Sequence, residues 1–133
     1  MIVLPKKQSW DVPEGIYTGY LSEVFTVTGK QNGSTRLVFT LTKPQHPRVV
    51  YKVGKSYSQE TAQALNADLE SWIGEDLDSL VGPNGELPLE ALKSLQGREA
   101  VLEVVQIRNP RHLNPYCHVK SITPAFELVA CAG

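Results

Sequence analysis

The chain has 133 residues, 41% of them hydrophobic and 20% charged, with 13 lysines and arginines against 14 acids. That suffices for one soluble globular domain with its own core and excludes a disordered chain. A net charge of −1 argues against a globally basic nucleic-acid binder, and apolar runs of a few residues exclude a bilayer-spanning helix.

The first 13 residues read as an N-terminal arm. The opening "MIVLPKKQSW" is apolar before it is basic and too short for a signal segment, so a cytoplasmic protein is expected. "WDVPEG" closes the arm with a turn signal at Pro13 and Gly15. "GIYTGYLSEVFTVT", residues 15–28, is rich in β-branched and aromatic residues and reads as one long strand. Gly19 inside it suggests a bend or bulge, which leaves the inward parity unassigned.

After the loop "GKQNGS", "TRLVFTLTK" alternates. Leu37, Phe39 and Leu41 share one face; Arg36, Val38, Thr40 and Thr42 share the other. "PQHP" interrupts, and "RVVYKV" alternates again, with Val49, Tyr51 and Val53 opposite Arg48, Val50 and Lys52. The period then changes. Ala62, Leu65, Leu69, Trp72 and Ile73 recur at helical spacing over about four turns. Ser56 or Ser58 is the expected cap, Ser56–Gln59 fits a capping box, and Gly74 the C′ position. Glu60, Asp68 and Glu70 fall on its expected exposed face.

An acidic connector, "EDLDSLVGPNG", leads to a short helix between Pro88 and Gly97. "REAVLEVVQIR" and "YCHVKSI" are the last two strands, and "TPAFELVACAG" is a tail without a clear element. The order is three strands, an acidic helical insertion, then two strands. That predicts a mainly β fold: a five-stranded OB-fold-like Greek-key barrel with a helix between strands three and four. The domain is expected over residues 14–124, with 1–13 as an arm and 125–133 as a C-terminal tail.

"DVPEGIYTGYLSEVFTV", "RLVFTL", the helix ending "LESWIG", "LKSLQGREAVLEV" and the closing "YCHVKSITP" together resemble a family of phage- and prophage-encoded OB-fold single-stranded DNA-binding proteins. The resemblance covers about residues 11–124. It implies an OB fold and binding of single-stranded DNA in replication or recombination. The chain departs from the family pattern at "NGSTRL", where a Gly-Asn pair is usual, and at His118, where Asn is usual. "FELVACAG" also lacks the acidic, Phe-tipped end with which bacterial single-stranded DNA-binding proteins recruit partners.

The charge distribution carries the functional reading. Residues 1–28 have a net charge of −1, residues 29–57 of +6 with no acid, residues 58–103 of −8 and residues 104–133 of +2. Strands two and three of an OB fold, with the loops beside them, face the oligonucleotide. The expected phosphate contacts are therefore Arg36, Arg48 and Lys52 on the outward parity, Lys43 at the exit of strand two and Lys55 just past strand three. Tyr20, Tyr57 and Tyr116 are candidate stacking platforms, with Trp10 on the arm. Tyr57 is the foremost, because it adjoins Lys55. Phe39 and Tyr51 are assigned to the core. The competing reading is an edge hairpin with solubilising bases.

Other chemistries find no support. "VYKVGKS" has Val49 where a phosphate loop needs its first glycine. His112, Cys117 and His118 make a poor chelate, since adjacent strand residues point apart. Neither Cys117 nor Cys131 lies in a C-x-x-C pair, so two free thiols are expected. No hydrolase or metalloprotease motif is present, and neither an enzyme, a cofactor nor a metal is expected. The expected partner is single-stranded DNA, or RNA, which residue types do not separate. The alternative is an OB-like protein-interaction or assembly module without nucleic-acid binding, as a homo-oligomer or with a protein partner at the acidic helix or the tail.

Overall fold

The structure is a computed structural model, described here for residues 1–27, 34–42, 48–107 and 116–125. It is mainly β. Among the described residues six strands form one mixed sheet: β1 (Lys7–Ser9), β2 (Gly15–Val27), β3 (Ser34–Thr42), β4 (Val49–Tyr57), β5 (Glu99–Ile107) and β6 (Tyr116–Pro124). Between β4 and β5 lie a 3-10 turn (Gln59–Thr61) and the helices α1 (Ala62–Ile73), α2 (Asp76–Leu80) and α3 (Leu89–Lys93). The sheet order is β1-β4-β3-β2-β5-β6. Among the described residues only the β1/β4 pair is parallel.

The alternation read from β3 and β4 is what the sheet uses. Leu37, Phe39, Leu41, Tyr51 and Val53 are buried in one core with Leu21, Val24, Leu102, Val104, Val119 and Ile122. α1 closes this core by packing on β6. Trp72 rests edge-on against Phe39 with ring centroids 5.6 Å apart, and its indole N–H donates to the Glu99 carbonyl at 2.9 Å. Each fully buried Leu or Phe side chain contributes about 1.5–3 kcal/mol. The exposed ion pairs Arg98–Asp76 and Lys120–Glu103 contribute about 0–1 kcal/mol each. Apolar burial, not surface charge, therefore holds the sheet.

Four expectations are corrected. Part of the N-terminal arm belongs to the sheet: Lys7–Ser9 pairs with Val49–Tyr51, and Val12 is fully buried. Three residues that pair through the backbone along a free edge need no hydrophobic alternation, so the sequence carries no period to read. β4 runs four residues beyond "RVVYKV", because "GKSY" continues the ladder opposite Thr35–Val38. Ser56 therefore stays in β4, and the expected Ser56–Gln59 capping box gives way to one at Ser58, the other candidate cap, whose N–H donates to Thr61 Oγ1 at 2.8 Å around the 3-10 turn. Asp68 also leaves the exposed face of α1, turning toward β4 to meet Lys55 and Tyr57.

Two irregularities in β2 set the sheet's geometry. At Gly19 a Cβ would come within 2.4 Å of the Thr40 carbonyl oxygen, so the close approach of β3 requires glycine. A β-bulge follows: Leu21 faces Phe39 and Glu23 faces Val38, leaving Ser22 as the extra residue. Ser22 Oγ donates to the Val38 carbonyl at 3.0 Å.

Candidate nucleic-acid interface

The bulge decides which side chains share the sheet's outer face. Tyr20 and Phe25 are five positions apart, an odd spacing that puts them on opposite faces of a regular strand. One extra residue between them restores equal parity. Tyr20 then lies opposite Thr40, and Phe25 opposite Arg36. On the far side of β3, Thr40 pairs with Lys52 and Arg36 with Ser56. The outer face of β2, β3 and β4 thus carries two cross-strand rows, Tyr20–Thr40–Lys52 and Phe25–Arg36–Ser56. Phe25 stands directly beside Arg36 in the second row, while in the first Thr40 separates Tyr20 from Lys52. The rings are 41% and 40% exposed. The rows are four residues apart along β3, or about 13 Å.

Glu23, in the row between them, is exposed, and Glu99 and Glu103 lie opposite Tyr20 and Ile16 on β5. The face is therefore basic toward β3 and β4 and acidic toward β5. A polyanion is favoured along one side only.

The candidate residues separate into groups. Arg36 and Lys52 are half-buried on this face, Arg48 is exposed just before β4, and Tyr20 belongs to the first row. Lys55 and Tyr57 have the opposite parity and are corrected. Lys55 pairs in register with the core residue Leu37. Its ammonium donates to Asp68 at 2.8 Å, and the Tyr57 hydroxyl donates to the same carboxylate oxygen at 2.5 Å. Tyr57 is 3% exposed and offers no free ring face for stacking. Lys43 lies outside the described residues. Tyr116 starts β6, and its side chain also lies outside them. Phe25 is the residue that the sequence reading missed, because only the bulge places it outward.

A groove opens where β4 and β6 approach one another without pairing. Its volume is about 640 Å³, and its lining includes Trp10, Arg36, Gly54, Lys55, Tyr57 and His118. Trp10 at its lip is 49% exposed. Because the groove runs along strand edges, it meets residues of both parities. Cys117, a free thiol, also borders it and accepts the Val12 N–H at 3.0 Å, docking the arm against β6. The His118 pKa is held below its usual value by burial and then by the nearby Lys55 charge, with Asp68 acting in the opposite direction. Among the described residues no three His, Cys, Asp or Glu side chains gather as a metal site, and no helix is long and apolar enough to cross a membrane.

Comparison with models of known protein families finds no match, and comparison with curated proteins finds none at a significant level.

Proposed function

We propose that this protein is a non-catalytic binder of single-stranded DNA with low sequence preference, built on an OB-like barrel. The observation that carries the reading is the pair of rows on the outer face, Tyr20–Thr40–Lys52 and Phe25–Arg36–Ser56. Single strands are bound without sequence preference by aromatic platforms interleaved with bases: stacking engages any base, and the bases track the backbone. The strand order supports the barrel. β2, β3 and β4 are consecutive neighbours, and β5 returns to lie beside β2, which is a Greek key. β6 then turns back toward β4, with α1 inserted between the third and fourth barrel strands. The bases fall on the second and third of these strands, the face that OB folds use. A role in phage-type replication or recombination belongs to the same proposal and rests on the family resemblance.

The test is fluorescence anisotropy of a labelled thymidine oligonucleotide of about 30 residues. Each stacked base is worth about 1–3 kcal/mol, so Tyr20→Ala with Phe25→Ala is expected to weaken binding by at least tenfold. Absence of binding by the wild type at low salt would remove the proposal. Binding that the double substitution leaves unchanged would move the site off this face.

One observation favours a second reading, a protein-docking module. Met1, Ile2, Val3 and Leu4 are exposed apolar residues leading into the sheet edge. That reading expects a stable oligomer by light scattering, lost when residues 1–4 are removed, and no oligonucleotide binding.

A further inference from the structure

We infer that the groove between β4 and β6 is a pocket for one nucleotide of the bound strand, with the base against Trp10 and the phosphodiester on Arg36. The choice of a nucleotide over another planar anion rests on the reading of the sheet face given above.

The pocket is built around a fixed guanidinium. A Cβ at Gly54 would meet Arg36 Nη2, Cζ and Nε at 2.5, 2.6 and 2.7 Å. Three nearly equal distances mean that the guanidinium plane lies flat on the Gly54 backbone. Nη1 donates to Ser56 Oγ at 2.9 Å, which fixes the plane's rotation. A planar cation pinned in this way holds its remaining donors ready for a phosphate without a further loss of side-chain freedom.

The charge balance selects the ligand. Two other basic side chains, Lys55 and His118, line the groove. Lys55 is neutralised by Asp68 at 2.8 Å, and His118 is held toward its neutral form. Among the described residues Arg36 has no carboxylate partner. The groove therefore presents one uncommitted positive charge, which matches one phosphodiester. Trp10 supplies an indole at the lip, and the indole is a strong stacking and cation–π surface. The volume of about 640 Å³ lies within the range of about 300–1,000 Å³ usual for small-molecule sites. Arg36 belongs to both the groove and the Phe25 row, so a strand crossing the sheet reaches the groove without leaving this residue.

The experiment is an NMR titration of the full chain with thymidylyl-thymidine, d(TpT), which carries one phosphodiester. Inorganic phosphate is the control. The two tryptophans give two indole signals, and Trp10→Phe identifies which is Trp10. Saturable movement of the Trp10 indole and the Gly54 amide is expected. Arg36→Lys, which keeps the charge and loses the plane, should weaken it at least fivefold. Tyr20→Ala, in the row remote from Arg36, should leave it within twofold while weakening the 30-mer. A Trp10 signal unmoved by d(TpT), with the 30-mer still binding, overturns the pocket and spares the sheet face. Equal movement with inorganic phosphate also overturns it, leaving only an anion site. Movement with d(TpT) but no 30-mer binding supports the pocket and removes the sheet-face reading. No response to either ligand removes both.

Discussion

Tyr57 shows how two hydrogen-bonding residues can look like a binding site and be part of the frame. Its hydroxyl and the Lys55 ammonium both donate to Asp68 Oδ2, tying the end of β4 to α1. Burial, and then the bond to Asp68, push the Tyr57 pKa well above its usual value. The fold favours the protonated phenol, so its contribution is present below pH 10 and lost as the pH rises past it. Tyr57→Phe is expected to cost about 0.5–1.5 kcal/mol, or somewhat more because the acceptor is charged. Urea denaturation measures this. His118 runs the other way. Its pKa is lowered in the fold, so below the unfolded value near 6.5 the unfolded chain binds the proton more readily. Stability is therefore expected to fall as pH drops from 7 toward 5. His118→Gln should flatten that part of the profile, and an unchanged profile would show that the imidazole does not drive it.

At the scale of the element, β2 is the strand on which both faces depend. Gly19 admits β3 at a distance no side chain tolerates, and the Ser22 bulge then shifts the parity of everything after it. Gly19→Ala forces a methyl group toward a backbone carbonyl that cannot rotate away. The expected loss is at least about 1–3 kcal/mol, the usual range for overpacking, read as a lower denaturation midpoint. A midpoint within experimental error of the wild type would mean that the two strands part easily. The bulge also marks the limit of sequence reading here. Alternation placed Arg36, Thr40 and Lys52 outward and Leu37, Phe39 and Tyr51 inward, because β3 and β4 are regular there. It could not place Phe25, since one unpaired residue reverses the sign and leaves no signature in composition.

Across the whole molecule, the near-neutral total conceals a separation of charge. Bases cluster on β3 and β4, while acids occupy the helical segment and the β5 side of the sheet. Each phosphate contact on a single strand adds about −0.7 to the slope of log affinity against log salt. Arg48→Ala with Lys52→Ala is therefore expected to flatten the slope by about 1.4. Lys55→Ala should leave the slope alone and lower stability instead, because its charge is committed to Asp68. Equal flattening by both variants would show that Lys55 is exchanged from its carboxylate to the phosphate on binding.

The sequence by itself determined the mainly β fold, the central amphipathic helix, the regular strand faces and the position of the basic segment, since period and charge are local properties of the chain. Tertiary structure decided what depends on distant partners. It recruited Lys7–Ser9 to a free edge, carried β4 on to Tyr57, and turned Asp68 inward to claim Lys55. It brought Trp10, Gly54 and His118 around one groove. Each of these outcomes is set by the backbone and polar groups that a residue meets across the fold, which its neighbours in the chain do not encode.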